Sequence, residues 1–159
     1  MRITIAAVGK LKEPYLRAAS AEYTKRLAPY CTLQIQEVSD EGYAEGLSPV
    51  AEEKIKLVEW QKTSRLLKKG TFIIVLDLSG EQVSSRELAA RIDQLALSGH
   101  SSLTFLIGGS LGLPQAAFKC ADWCLSFSRL TFPHQLMRII LLEQIYRSFK
   151  ISRGEPYHK

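Results

Sequence analysis

The chain is poor in several features that would have fixed its class at once. It has three cysteines, Cys31, Cys120 and Cys124, in no paired spacing. An odd, scattered set argues against a disulfide framework and points to a reducing compartment such as the cytoplasm. Its three histidines and three cysteines nowhere group as zinc ligands do, so no metal is expected. No apolar run approaches the roughly eighteen residues needed to span a bilayer. The opening "MRITIAAVGK" is too brief in its apolar stretch for a secretion signal and reads as a strand. Neither G-x-x-x-x-G-K-[ST] nor G-x-G-x-x-G occurs, which disfavours a P-loop ATPase and a dinucleotide enzyme. Internal repeats, linkers and low-complexity tracts are also missing.

What remains is ordinary for a globular protein: 46% hydrophobic and 23% charged residues in a chain of 159. That length suits one domain, residues 1–159, with its own core. The net charge of +5 is concentrated late. Beyond residue 128, Arg129, Arg138, Arg147, Lys150, Arg153 and Lys159 face only Glu143 and Glu155. Such a cluster suggests a polyanionic partner, RNA ahead of a membrane because no lipid-facing stripe accompanies it. A solvated basic helix face would give the same charges.

Strand and helix patterns alternate throughout. "RITIAAVG" (2–9), "TLQIQEV" (32–38), "TFIIVLDL" (71–78), "SLTFLIGG" (102–109) and "CLSFS" (124–128) read as strands. Pro14 opens one helix and Ser48-Pro49 a second, which should run to about Lys69 before Gly70. Ser84 with Glu87 forms a capping box for a third. A short helix follows Pro114, and a last one starts near Pro133. The pattern predicts an α/β fold with a mostly parallel sheet and helices on both faces. In such sheets ligands bind beyond the carboxyl ends of the strands. Three segments end there: Leu76–Leu78, the turn at 108–112 and residues 125–132. The last helix is apolar nearly all round, with Met137, Ile139, Ile140, Leu141, Leu142, Ile145, Tyr146 and Phe149, and this predicts burial by a second copy of the chain.

The stretch "FLIGGSLGLP" supports competing readings. Gly108-Gly109-Ser110-Leu111-Gly112 matches the Gly-x-Ser-x-Gly elbow of hydrolases, with Asp122 and His134 or His158 completing a formal triad. Pro114 works against it, because the helix should start directly behind the serine. The glycines also suit a turn that lets a flat ligand reach the backbone, or a tight strand-to-helix turn alone. Cys31 and Cys120 read as core residues and His100 as a solvent-facing turn residue. The tail "SRGEPYHK" is too polar for core. With Arg147 it gathers Arg153, Tyr157 and His158, groups that bind anions, stack or move protons, unless it is a frayed end.

Taken together, "VGKLKEPY", "LIGGSLGL" and "LSFSRLTFPHQLMRIILLEQIYRSFKISRGEPYHK" closely resemble the ribosomal RNA large subunit methyltransferase H family of the SPOUT superfamily. The resemblance covers essentially the whole chain. It implies a C-terminal trefoil knot, S-adenosylmethionine as methyl donor and a homodimer with the active site near the interface. It implies methylation of N3 of pseudouridine 1915 in 23S rRNA, within the assembled ribosome. Carried over residue by residue, the cofactor contacts fall on Leu76, Gly108, Phe127, Ser128, Arg129, Leu130, Thr131 and Phe132. An imide nitrogen must lose its proton, so His158 or Tyr157 is expected to accept it, with Arg153 or Arg147 stabilising the anion. His134 is the alternative base. Phosphate contacts are expected from Arg129, Arg138, Arg147, Lys150 and Lys159. Two other readings stay open: a SPOUT enzyme for another RNA such as tRNA, and a non-enzymatic RNA-binding dimer.

Overall fold

A computed structural model describes residues 1–157, which form five strands and five helices in strict alternation. They are β1 (Arg2–Val8), α1 (Pro14–Leu27), β2 (Thr32–Val38), α2 (Pro49–Ser64), β3 (Phe72–Gln82), α3 (Ser85–Leu97), β4 (Ser102–Ile107), α4 (Gln115–Lys119), β5 (Trp123–Ser126) and α5 (His134–Ser152). The strands make one sheet in the order β2-β1-β4-β3-β5, and every pairing is parallel.

Side-chain alternation splits each central strand between two cores. Ile3, Ile5 and Ala7 of β1, with Leu103, Phe105 and Ile107 of β4, pack with residues of α1, α3 and α5. Their neighbours Ala6 and Leu106, with Val75 of β3, pack against Trp60 of α2 and Ala117 of α4. Helices therefore cover both faces, and burial of each such large aliphatic side chain contributes about 1.5–3 kcal/mol.

Local signals set most boundaries. Ser84 accepts from Glu87 N while Glu87 accepts from Ser84 N, so the capping box is complete. Ser48 caps α2 through Ala51 N, with Pro49 in the first turn. Two boundaries differ from the sequence expectation by four residues or more. The second helix stops at Ser64, because Leu66 and Leu67 N–H groups turn back to Thr63 and Ser64 and carry both leucines into the second core. The third strand continues past Leu78 to Gln82. Beyond a register shift it pairs Glu81 and Gln82 with Leu125 and Ser126 of β5. Gly80 makes this close approach possible: a Cβ there would stand 2.6 Å from Leu125 backbone carbon.

The last helix lies between α1 and α3. At 19 residues it is about 27 Å from first to last Cα. Its first turn stands at the carboxyl ends of the strands. Its last turn reaches Tyr30, which precedes β2, at the amino ends of the strands. Arg138 fastens the first end. It is 1% exposed and donates to Val8 O, Gly9 O and Glu37 Oε1. Leu136 is exposed and Met137, Ile139 and Ile140 are half-buried, so one apolar side of α5 is uncovered within this chain.

Candidate active site

The glycine turn after β4 is shaped by what its backbone must avoid. Gly112 sits at φ +84°, a conformation that favours glycine, and its N–H donates to Gly109 O at 3.0 Å. A Cβ on Gly108 would lie 2.7 Å from Gly112 backbone carbon and 2.8 Å from its oxygen. One on Gly109 would lie 2.9 Å from Glu59 Oε2 and 3.1 Å from Val8 Cγ1. Here Gly108 and Gly109 serve close packing, and Gly112 serves the turn.

This turn closes one side of a cavity of about 370 Å³, within the usual range for small-molecule sites. The other walls are β3 where it parts from β4 (Leu76, Asp77, Leu78), the segment after β5 and the first turn of α5 with His134 and Met137. Leu76, Gly108, Phe127, Ser128, Leu130, Thr131 and Phe132 all border it. Arg129, of the same stretch, is exposed and does not. The third wall is stiffened by short loops: Ser126 Oγ donates to Ser128 O, and Ser128 Oγ accepts from Leu130 N at 2.9 Å. Asp77 is the cavity's carboxylate, held by the N–H and hydroxyl of Ser79.

Two groups able to move a proton stand at this cavity. Ser110 Oγ lies 3.4 Å from His134 Nδ1. Burial, then the charge of Arg138, lowers the His134 pKa below its ordinary value, against a smaller opposing effect from Asp40. The formal hydrolase triad is not assembled, because Asp122 is elsewhere. Its carboxylate accepts from Ile73 N at 2.7 Å and its N–H donates to Ile73 O, at the amino ends of the strands.

A buried carboxyl supports the turn from behind. Glu59 of α2 is 4% exposed; Oε1 accepts from Glu41 N, whereas Oε2 has no hydrogen-bond partner among the described residues. Desolvation raises its pKa, opposed by the Glu41 bond. Nothing in local sequence marked Glu59, since its burial depends on Val8 and Gly109 lying beneath α2.

The tail residues form a separate cluster. Tyr157 OH donates to Glu143 Oε1, and the Arg147 guanidinium binds the same oxygen at 2.6 Å while lying 4.9 Å from the Tyr157 ring centre. Burial, with contacts to Tyr23 and Glu143, pushes the Tyr157 pKa up to about 12. Arg153 stacks over Tyr30, whose hydroxyl donates to Glu155; Lys150 binds Glu155 as well. His158 and Lys159 lie outside the described residues. This cluster is the length of α5 away from the cavity, so the chain does not bring Tyr157, Arg153 or Arg147 to its own pocket. Of the expected phosphate contacts, Arg138 must be corrected, because its guanidinium is buried on β1 and β2. Arg147 and Lys150 are already paired with carboxylates. Cys31 is buried as expected, and His100 packs edge-on to Phe72. Among the described residues no group of His, Cys, Asp or Glu could hold a metal, and no helix is long and apolar enough to cross a membrane.

Comparison with known proteins adds a different kind of observation. A family described as "Predicted SPOUT methyltransferase" matches residues 1–158. The chain is 55% identical to the ribosomal RNA large subunit methyltransferase H of Carboxydothermus hydrogenoformans, over all of both chains. It is 54% identical to the protein of that name from Bifidobacterium adolescentis and 52% to that from Acetivibrio thermocellus, again over full lengths. Among solved structures, a probable methylase family protein from Haemophilus influenzae shares the fold with a TM-score of 0.56. It is 10% identical and covers 99% of this chain and 70% of its own.

Proposed function

The chain belongs to the SPOUT methyltransferase family, and on that premise we propose that it methylates N3 of a pseudouridine in large-subunit ribosomal RNA, using S-adenosylmethionine. The observation that carries this reading is the convergence of three strand-end segments on one glycine-cradled cavity, in a chain more than half identical to large-subunit rRNA methyltransferases over its full length.

The residues present fit the cofactor. Leu76, Leu125, Leu130 and Met137 offer apolar walls for a flat base, and Gly108 keeps the turn's backbone tight. Asp77 supplies a carboxylate suited to a cationic ligand. When bound, the cofactor supplies an electrophilic methyl group on a sulfonium. The protein's part is then to hold donor and acceptor in line and to manage the acceptor's proton. The close contacts of Gly80 with Leu125 and Gly108 with Gly112 support chain segments packed backbone to backbone, as a trefoil knot over this region requires.

A homodimer completes the site. Because the length of α5, about 27 Å, separates the cluster of Arg147, Arg153 and Tyr157 from its own cavity, these residues act on the acceptor from the second subunit. The uncovered apolar side of α5 is the surface through which the copies meet. With Arg138 buried and Arg147 and Lys150 paired, Arg129 remains, among the described residues, from the predicted phosphate contacts, joined by the exposed Lys10 and Lys25.

The test uses ribosomes from cells lacking this protein and isotopically labelled S-adenosylmethionine. Methyl transfer to a single large-subunit pseudouridine, located by mass spectrometry, is the expected result. Tight cofactor binding with transfer only to a tRNA would replace the substrate. Binding without any transfer would favour a non-enzymatic RNA-binding dimer.

A further inference from the structure

We propose that Ser110 and His134 form the proton-accepting pair of the site: the Ser110 hydroxyl takes the proton of the acceptor nitrogen while passing its own to Nδ1 of His134. The inference rests on the reading above, in which the acceptor is a protonated ring nitrogen.

The placement of the two residues carries it. Both border the cavity, 3.4 Å apart from Oγ to Nδ1, and they come from its two opposing walls, the glycine turn and the first turn of α5. Ser110 is exposed and His134 half-buried, so the hydroxyl is the member of the pair that a large substrate can touch. Contacts of this length commonly tighten when substrate arrives.

The surroundings of the imidazole favour one tautomer. Its Nε2 edge lies over Gly9, where a Cβ would stand 3.2 Å from Nε2; the carboxyl carbon of Asp40 is 3.8 Å from that same point. A carboxylate on this side favours the proton on Nε2 and leaves the Nδ1 lone pair facing Ser110. Gly9 has φ +81°, so both its backbone and the ring above it call for glycine. The groups facing the ring are Arg138 from α5, Lys12 from the loop after β1, Asp40 from the loop after β2, and Ser110. Burial and Arg138 together outweigh Asp40, and the ring is neutral, able to accept a proton, at pH 7. The tail offers a poorer acceptor in Tyr157, which keeps its proton up to about 12.

The step balances. The nitrogen's N–H bonding pair becomes free to form the new C–N bond as the carbon–sulfur bond of the donor breaks toward sulfur. The nitrogen's proton ends on Ser110 oxygen and the serine's original proton on Nδ1. One positive charge leaves the sulfonium donor and one appears on the imidazolium, which then releases its proton to solvent water past exposed Ser110. Ser110 thus keeps the position of a hydrolase serine but forms no bond to carbon.

The experiment measures single-turnover methylation of ribosomes against pH for the wild-type protein and for S110A, S110T, H134Q and H158A. In parallel, the His134 imidazole is titrated by NMR in wild-type and S110A protein without cofactor. S110A and H134Q should slow transfer about 10²–10⁴-fold at neutral pH with cofactor affinity unchanged. S110T, which keeps the hydroxyl, should recover most of the rate. Both deficits should shrink as rising pH ionises the acceptor unaided, and S110A should shift the His134 titration. H158A should retain the wild-type pH profile. S110A at the wild-type rate, a deficit constant with pH, or pH rescue confined to H158A would each overturn the proposal. S110A is an exposed substitution that leaves the packing alone, so the test survives a poorly folded H134Q. Wild-type protein that binds cofactor yet methylates no pseudouridine would instead overturn the reading beneath, and this one with it.

Discussion

At its first turn α5 borders a cavity whose walls depend on missing side chains, whereas its last turn enters a cluster in which the polar side chains are mutually engaged. Around the cavity, Gly9, Gly80, Gly108 and Gly109 each place backbone against a neighbour where a Cβ would press. Around the tail, Glu143 binds Arg147 and Tyr157, while Glu155 binds Lys150 and Tyr30. Additions should therefore do harm at the first end and removals at the second. Exposed ion pairs contribute little singly, so the tail's strength lies in sharing partners.

Arg138 is the test most able to break this contrast, being a removal at the first end. Replacing Arg138 by Met strands two carbonyls and Glu37, and should cost about 3–5 kcal/mol, read as a lowered melting temperature. Gly108→Ala comes next. The added methyl meets the Gly112 carbonyl, and a loss of about 1–3 kcal/mol is expected with a more than tenfold fall in S-adenosylmethionine affinity by calorimetry. A stable G108A variant that still binds the cofactor would remove the case for a backbone-built pocket.

Two smaller effects address the far end through pH. Burial pushes the Cys31 pKa from 9.0 up to about 11. Between those values the unfolded chain releases a proton that the folded chain keeps, so stability falls as pH rises. Cys31→Ala should flatten that decline by about 1–3 kcal/mol, measured by denaturant titration at several alkaline pH values. Glu155 has its pKa lowered, first by the bond from Lys150 and then by that from Tyr30. Its contribution is present above the ordinary carboxylate value and lost as pH falls through the depressed one. Acid should thus expose the tail to proteases before the sheet opens, and Glu155→Gln should leave the tail loosened at every pH, with little change in melting.

Local chemistry made much of the fold readable. Ser84 with Glu87, Ser48 with Pro49, and the alternation of Ile3, Ile5 and Ala7 carry their structural meaning within a few residues. The reading failed where partners are distant in sequence. Arg138 passes for a phosphate contact until Val8, Gly9 and Glu37, more than a hundred residues earlier, close around it. Continuation of β3 to Gln82 depends on Leu125, which no propensity of Asp77–Gln82 foretells. The cavity segments were legible because strand ends of a parallel sheet gather ligands. Pairing of Ser110 with His134 was visible only as a formal motif, with Asp122 as a third member that the fold places elsewhere.

The strand order has a consequence for how the protein is made. β1 is made before the other four described strands, yet it is flanked by β2 and β4, and Arg2 pairs with Ser102. At ribosomal rates of roughly 5–20 residues per second, the opening strand waits roughly 5–20 seconds for that neighbour. The seal at its far end waits longer still, for Arg138 to reach Val8 and Gly9. Until then the nascent chain carries Ile3–Val8 with the edge that awaits β4 unpaired, the segment that a chaperone has most reason to hold.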